Sequence, residues 1–258
     1  MLDLGILLGV VLRRPWRCGL PATGSVNRIE ALYRSRFSSA ERTWKDRMWR
    51  VLCRRFLQRY VGRKDVLLDL ACGLGEFTRH IDAGRKIAVD LNEAAREHLT
   101  ADVEFHAATA ERMEFLPDGT VDVCFSSNFL EHLPTKAAVD SVLAEVFRVL
   151  RPGGRYMAIQ PNVRYAYREY WDFWDHFTAL SDRSCAEAFS LAGFDVERVI
   201  PRFLPFTTKG KTGVHPSALA VYLAFPPVWR LFGKQFFIVG RKPPAGRAGP
   251  FAGGALDG

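Results

Sequence analysis

From residue 66 onward the chain alternates two textures. Short apolar runs rich in branched and aromatic residues (VLLDL at 66–70, KIAVDL at 86–91, VEFHAA at 103–108, VDVCFSS at 121–127, RYMAIQP at 155–161) each stop at a polar cluster. Between them, EFTRHIDAG, NEAAREHLT and the segment from about Thr135 to Leu150 return their apolar positions every three or four residues. The runs predict strands and the periodic stretches predict helices. Strands regularly separated by helices make a parallel sheet covered on both faces. RPGG at 151–154 is the stop between the longest of these helices and its strand. After Asn162 the rhythm breaks for VRYAYREYWDFWDHFTAL, then resumes with a helix in SDRSCAEAFSLAG and strands in FDVERVI and KQFFIVGRK, making seven strands.

The N-terminal part has a different pattern. SSAERTWKDRMWRVLCRRFLQRY opens with Ser38 and Glu41 at capping-box spacing. Trp44, Met48, Val51, Leu52 and Phe56 then recur at helical intervals, with Arg47, Arg50 and Arg54 on other faces, so this is an amphipathic helix that packs on something. Ahead of it, the apolar run Leu4–Leu12 is about half of a bilayer-spanning length, and Asp3 stands where a secretory signal carries basic residues. It reads either as a weak membrane-surface anchor or as a loosely packed leader. Residues 1–29 are therefore expected to be poorly ordered, as is the Gly/Pro/Ala-rich tail 243–258.

At 258 residues the chain can bury one full core. Residues 1–60 hold 13 Lys/Arg against 4 Asp/Glu, a net of +9, whereas the remainder is at −1. The basic balance is thus local: either a solvated helix face, or a surface for an anionic lipid, a phosphorylated substrate or nucleic acid such as RNA. The five cysteines are scattered, with no C-x-x-C pair and no Cys/His cluster at zinc spacing. Neither a disulfide framework nor a metal site is expected, and a reducing cytoplasm fits best.

The chemistry concentrates at DLACGLGE, 69–76. Glycines sit where the first strand passes into a helix, and Asp90 ends the second strand about twenty residues on, the arrangement that lays a nucleoside-bearing cofactor across the carboxyl edge of a sheet. Asp69 before the turn and Glu76 after it suit a cationic ligand better than a pyrophosphate.

With LDLACGLG, AVDLN, VDVCFSSNFLEHL, VLRPGGRYMAIQPN and SLAGF in this order, the sequence resembles Class I S-adenosylmethionine-dependent methyltransferases over roughly residues 30–242. The resemblance implies a Rossmann-like seven-stranded, mostly parallel sheet with helices on both faces and an antiparallel final strand. It implies a helical lid at 30–62, a substrate-binding insert at 162–180, and S-adenosyl-L-methionine as cofactor. Asp69, Ala71, Gly73 and Gly75 would shape the methionine end of the pocket, with Ala71 standing where the family motif has glycine. Asp90 would hold the ribose, Leu91 would lie against adenine, Thr109 or Ala110 would meet the adenine amino group, and Asn128 would line the floor. Glu131 and His132 follow at the same floor, either functional or simply buried.

For the acceptor, the aromatic segment after the fifth strand is the expected wall, with His132, Asn162, Tyr165, Tyr170 and Trp174 as contacts. His176, beside Asp175 and near Asp172, is the expected general base, with a plain structural histidine as the alternative. The pattern looks like that of bacterial enzymes modifying small molecules or glycans, including cell-envelope precursors. The place after the fourth strand reads SSNF where amino-methylating DNA enzymes carry an Asp/Asn-Pro-Pro-aromatic box, so nucleic acid is the alternative acceptor.

Overall fold

The computed structural model describes residues 39–206 and 215–244. The expected leader, the start of the lid and nearly all of the tail lie outside these residues.

Seven strands, β1 (Val66–Leu70), β2 (Arg85–Asp90), β3 (Val103–Ala107), β4 (Val121–Ser127), β5 (Leu150–Pro161), β6 (Asp195–Ile200) and β7 (Gln235–Arg241), form one sheet in the order β3-β2-β1-β4-β5-β7-β6. The pairs among β1 to β5 are parallel, and β7 is antiparallel to both β5 and β6. This is the Rossmann-like arrangement expected. The order reverses between β1 and β4, and in open α/β sheets ligands bind beyond the carboxyl ends of the strands at such a switch point.

Because side chains alternate along a strand, β1 feeds two cores. Leu68 and Leu70 face α3 (Lys136–Val149) and α5 (Asp182–Leu191), where Val142, Val146 and Phe189 are fully buried. Leu67 faces α1 (Ser39–Arg55), α2 (Glu76–His80) and α6 (Pro216–Ala224). On that side Phe56 meets Phe203 at 4.3 Å between centroids and Phe237 at 5.1 Å, and Phe77 meets Phe125 at 4.0 Å. The expected N-terminal helix is thus a structural wall of the second core.

NEAAREHLT was expected as a helix, but only Glu93–His98 coils, as a 3₁₀ turn whose Asn92 side chain accepts from the Ala94 amide. The stretch between β6 and β7, for which the sequence pattern predicted no element, carries α6 and a short α7 (Trp229–Phe232). In the insert, α4 (Val163–Tyr170) leads into turns that return the chain to α5.

Candidate functional site: an acidic glycine turn and a buried Glu-His-His cluster

Three alternate residues of the turn after β1 adopt left-handed backbone: Ala71 at φ 53°, Gly73 at 56° and Gly75 at 69°. The corkscrew this makes explains the spacing of the motif, and Ala71 holds the conformation at a steric cost that glycine would avoid. At Gly75 the positive φ favours glycine, and an added Cβ would also press the Leu99 side chain, 2.5 Å from its Cδ2. A Cβ on Gly73 would meet nothing within 4 Å, so its backbone faces open space.

Asp90 organises the turn from the next strand. Its Oδ2 accepts from the Gly73 amide and its Oδ1 from the Asn92 amide, both at 2.9 Å. Burial holds its carboxyl above the usual carboxylate range despite these bonds. Asp69 sits in register with Ala88 and Phe125, 3% exposed, and its Oδ2 has no hydrogen-bond partner. Burial, then the neighbouring Asp90 and Glu76, push its carboxyl well above the ordinary value. Glu76 begins α2 and pairs with Lys45 of α1 at 3.3 Å. An orphaned carboxylate between two others beside an open backbone cradle is the donor set a cationic, ribose-bearing ligand needs.

The remaining expected cofactor contacts lie around this edge. Leu91 exposes an apolar surface, Thr109 is exposed and Ala110 is buried behind it. Asn128 follows β4 at φ 50°, its amide donating to the Ile159 carbonyl at 2.8 Å and its side chain exposed.

The acceptor residues divide sharply. Trp174 is 89% exposed, and Tyr167, Trp171 and Phe177 of the same segment are exposed as well. The half-buried Tyr165 ring is flanked by guanidiniums, Arg202 at 4.7 Å and Arg164 at 5.3 Å. Asn162 and Tyr170, expected as acceptor contacts, are fully buried, and their polar atoms are spent on the fold. Asn162 caps α4 and donates to Asp182 at 2.8 Å and to the Pro201 carbonyl at 2.9 Å, while the Tyr170 hydroxyl donates to the Thr178 carbonyl.

The expected base, His176, is 7% exposed. Its ring stacks on Phe173 at 4.8 Å and meets the edges of Tyr170 at 4.7 Å and His132 at 5.0 Å. Asp175 reaches His132: His132 Nδ1 lies 2.7 Å from the Asp175 carbonyl and 3.3 Å from its Oδ2. Asp172 is exposed to solvent. Beneath the histidines lies Glu131, 1% exposed with no hydrogen bond to either carboxylate oxygen. Burial, partly offset by His132, raises its carboxyl to about 7. Sequence reading placed Glu131 and His132 at the floor but gave no sign that His176 returns to them.

The fold and the glycine turn define a nucleoside-cofactor protein of the Rossmann-like class. Residues 68–158 match a family described as a methyltransferase domain. A probable S-adenosylmethionine-dependent methyltransferase of Mycolicibacterium smegmatis is 33% identical over 176 residues, 64% of this chain and 64% of that protein. A ubiquinone/menaquinone biosynthesis C-methyltransferase of Hydrogenovibrio crunogenus is 33% identical over 110 residues, 37% of this chain and 42% of that protein. The chain thus spans about two-fifths to two-thirds of the length of these curated relatives.

Among solved structures, a chain of the complex between the Haloferax volcanii Trm112 methyltransferase activator and its methyltransferase superposes with TM-score 0.62 at 20% identity, covering 85% of this chain and 98% of that one. A SAM dependent methyltransferase from Archaeoglobus fulgidus gives 0.58 at 19%, covering 83% and 99%. These two likenesses concern the fold. Residues 68–158 thus carry the likeness to a methyltransferase domain, and the Mycolicibacterium smegmatis relative is described as S-adenosylmethionine-dependent.

Proposed function

We propose that this protein is a methyltransferase that moves a methyl group from S-adenosyl-L-methionine to a small molecule or a glycan, with cell-envelope precursors among the acceptors. The observation that carries the reading is the buried Asp69 oxygen without a partner beside the open Gly73 backbone. The residues fit the cofactor: Asp69 and the turn amides would take its amino-acid end, Asp90 its ribose and Leu91 its base. When bound, the cofactor supplies an electrophilic methyl on a sulfonium.

The chain's own contribution is alignment and exclusion of water. α1 closes one side of the turn through Lys45 and Glu76. The exposed rings of Tyr167, Trp171, Trp174 and Phe177 offer flat apolar surface, with Arg164 and Arg168 close by, to an acceptor with sugar or planar rings. The relatives named for quinone biosynthesis act on small molecules, which supports this class over nucleic acid. Four buried free cysteines support a reducing compartment, and no helix among the described residues is long and apolar enough to cross a membrane.

Calorimetry with S-adenosylhomocysteine tests the cofactor site. Asp90→Ala should weaken binding by roughly 1.5–3 kcal/mol, the value of charge-assisted bonds to a sugar. Unchanged affinity would remove Asp90 from the site. Labelled S-adenosylmethionine with fractionated cell extract tests the acceptor: label in small metabolites or lipid-linked sugars supports the proposal, and label confined to RNA replaces it.

A further inference from the structure

We propose that Glu131, His132 and His176 form a site for one divalent transition-metal ion, with zinc the best match to two imidazoles and one carboxylate. The site needs no bound cofactor and stands apart from the methyl-transfer reading.

Two separate pieces of chain build it. Glu131 and His132 sit on the 3₁₀ turn Leu130–His132 that follows β4. His176 arrives from the turns after α4, and the two pieces are clasped where the amides of Phe177 and Thr178 donate to the Glu131 carbonyl at 2.8 and 3.1 Å. One donor atom from each of the three side chains lies within 4.8 Å of the others. Around a zinc ion with bonds of ~2.0–2.1 Å, donors stand ~3.3–4.2 Å apart, so small side-chain rotations complete the shell.

Each ligand is prepared in its own way. Glu131 is 1% exposed and neither of its oxygens has a hydrogen-bond donor, a costly state for a carboxylate that a cation reverses. His132 Nδ1 lies 2.7 Å from the Asp175 carbonyl. A carbonyl can only accept, so Nδ1 carries the hydrogen and the neutral ring presents its Nε2 lone pair, the second-sphere arrangement that orients metal-binding histidines. His176 is held by Phe173 on its face and Tyr170 at its edge, so its ring direction is set before an ion arrives. Three protein ligands leave a coordination position for water or a substrate oxygen.

The test uses the full chain, stripped with chelator and titrated with Zn²⁺ and Co²⁺. The expected result is one ion per chain bound at micromolar or lower metal, visible d–d bands for Co²⁺, and a higher melting temperature with Zn²⁺. Glu131→Gln and His132→Gln, both near in size to the natural residues, should each lose at least ~10²-fold in metal affinity while keeping the wild-type circular dichroism. His176→Gln should do the same; if it fails to fold, the other two variants decide. Absence of saturable binding overturns the site. So does binding that Glu131→Gln leaves intact, because the ion would then sit on other histidines such as His80, His98 or His106.

Discussion

Asp69 is a residue that the empty fold would be more stable without. Its carboxyl is raised by burial and by the nearby Asp90 and Glu76, so the folded state favours the neutral form. A group raised in this way supports the fold fully below its unfolded value, about 3.9, and loses that support as pH rises toward the folded value. Asp69→Asn should therefore raise the melting temperature of the cofactor-free protein at neutral pH, by ~2–4 °C for each kcal/mol gained, with the advantage growing as pH increases. The same variant should bind S-adenosylhomocysteine more weakly. Pairing with a cation favours the charged carboxylate, so ligand binding to the natural protein should release protons. Calorimetry in buffers of different ionisation enthalpy measures that release, and its absence would show Asp69 already ionised or uninvolved. At this scale the glycine turn was legible, because its residues carry their geometry in one short stretch. The burial of Asn162 and Tyr170 was not, because a polar side chain near a cleft and one used as a cap look alike in sequence. Glu131 and His176, 45 positions apart, have no sequence pattern that links them.

Among elements, α1 holds α2 by charge as well as by packing. Asp46 accepts from Arg79 at 2.5 Å and lies 2.9 Å from His80 Nε2. Burial would raise its carboxyl, but the hydrogen bonds from His80 and Arg79 outweigh that and hold it below the ordinary value. Its contribution is therefore present above pH ~3.9 and fades as pH falls below it. Asp46→Asn should cost about 1 kcal/mol at pH 7, since the group is only partly buried, whereas Phe56→Ala, emptying the fully buried ring cluster, should cost about 3–5 kcal/mol. Urea titrations measure both, and equal costs would mean that charge and packing contribute alike to this seam. The helix itself could be read from the spacing of Met48, Leu52 and Phe56. α6 could not: Leu219 and Leu223 face inward while the apolar Val221 is exposed, so it is apolar on more than one face and shows no stripe.

For the molecule as a whole, the sheet is sandwiched between two cores, and the N-terminal helix supplies one wall. Deleting residues 1–60 removes Leu52, Cys53, Phe56 and Leu57, all buried against Phe203, Trp229 and Phe237. The truncated protein should lose cooperative unfolding and bind a hydrophobic dye, as expected for a chain whose tertiary packing is lost. A sharp, dye-silent transition would reduce α1 to an appendage. The five parallel strands were legible because each strand–helix alternation forces its neighbour's direction. The reversal of β7 was implied only by family resemblance, since KQFFIVGRK is equally apolar in either direction.

The position of β7 sets an order on the protein's birth. β6 pairs with β7 alone, and β7 in turn closes the edge of β5. A ribosome that has made β1 to β5 has already released the strands that carry the glycine turn, but one edge of that half-sheet stays bare and β6 has nowhere to dock. Translation paused between β6 and β7 would hold such a nascent chain with an open strand edge, a template for mispairing with a neighbour on the same messenger. Synthesis speed over residues 162–234, and the chaperones present during that interval, should therefore affect the yield of folded protein.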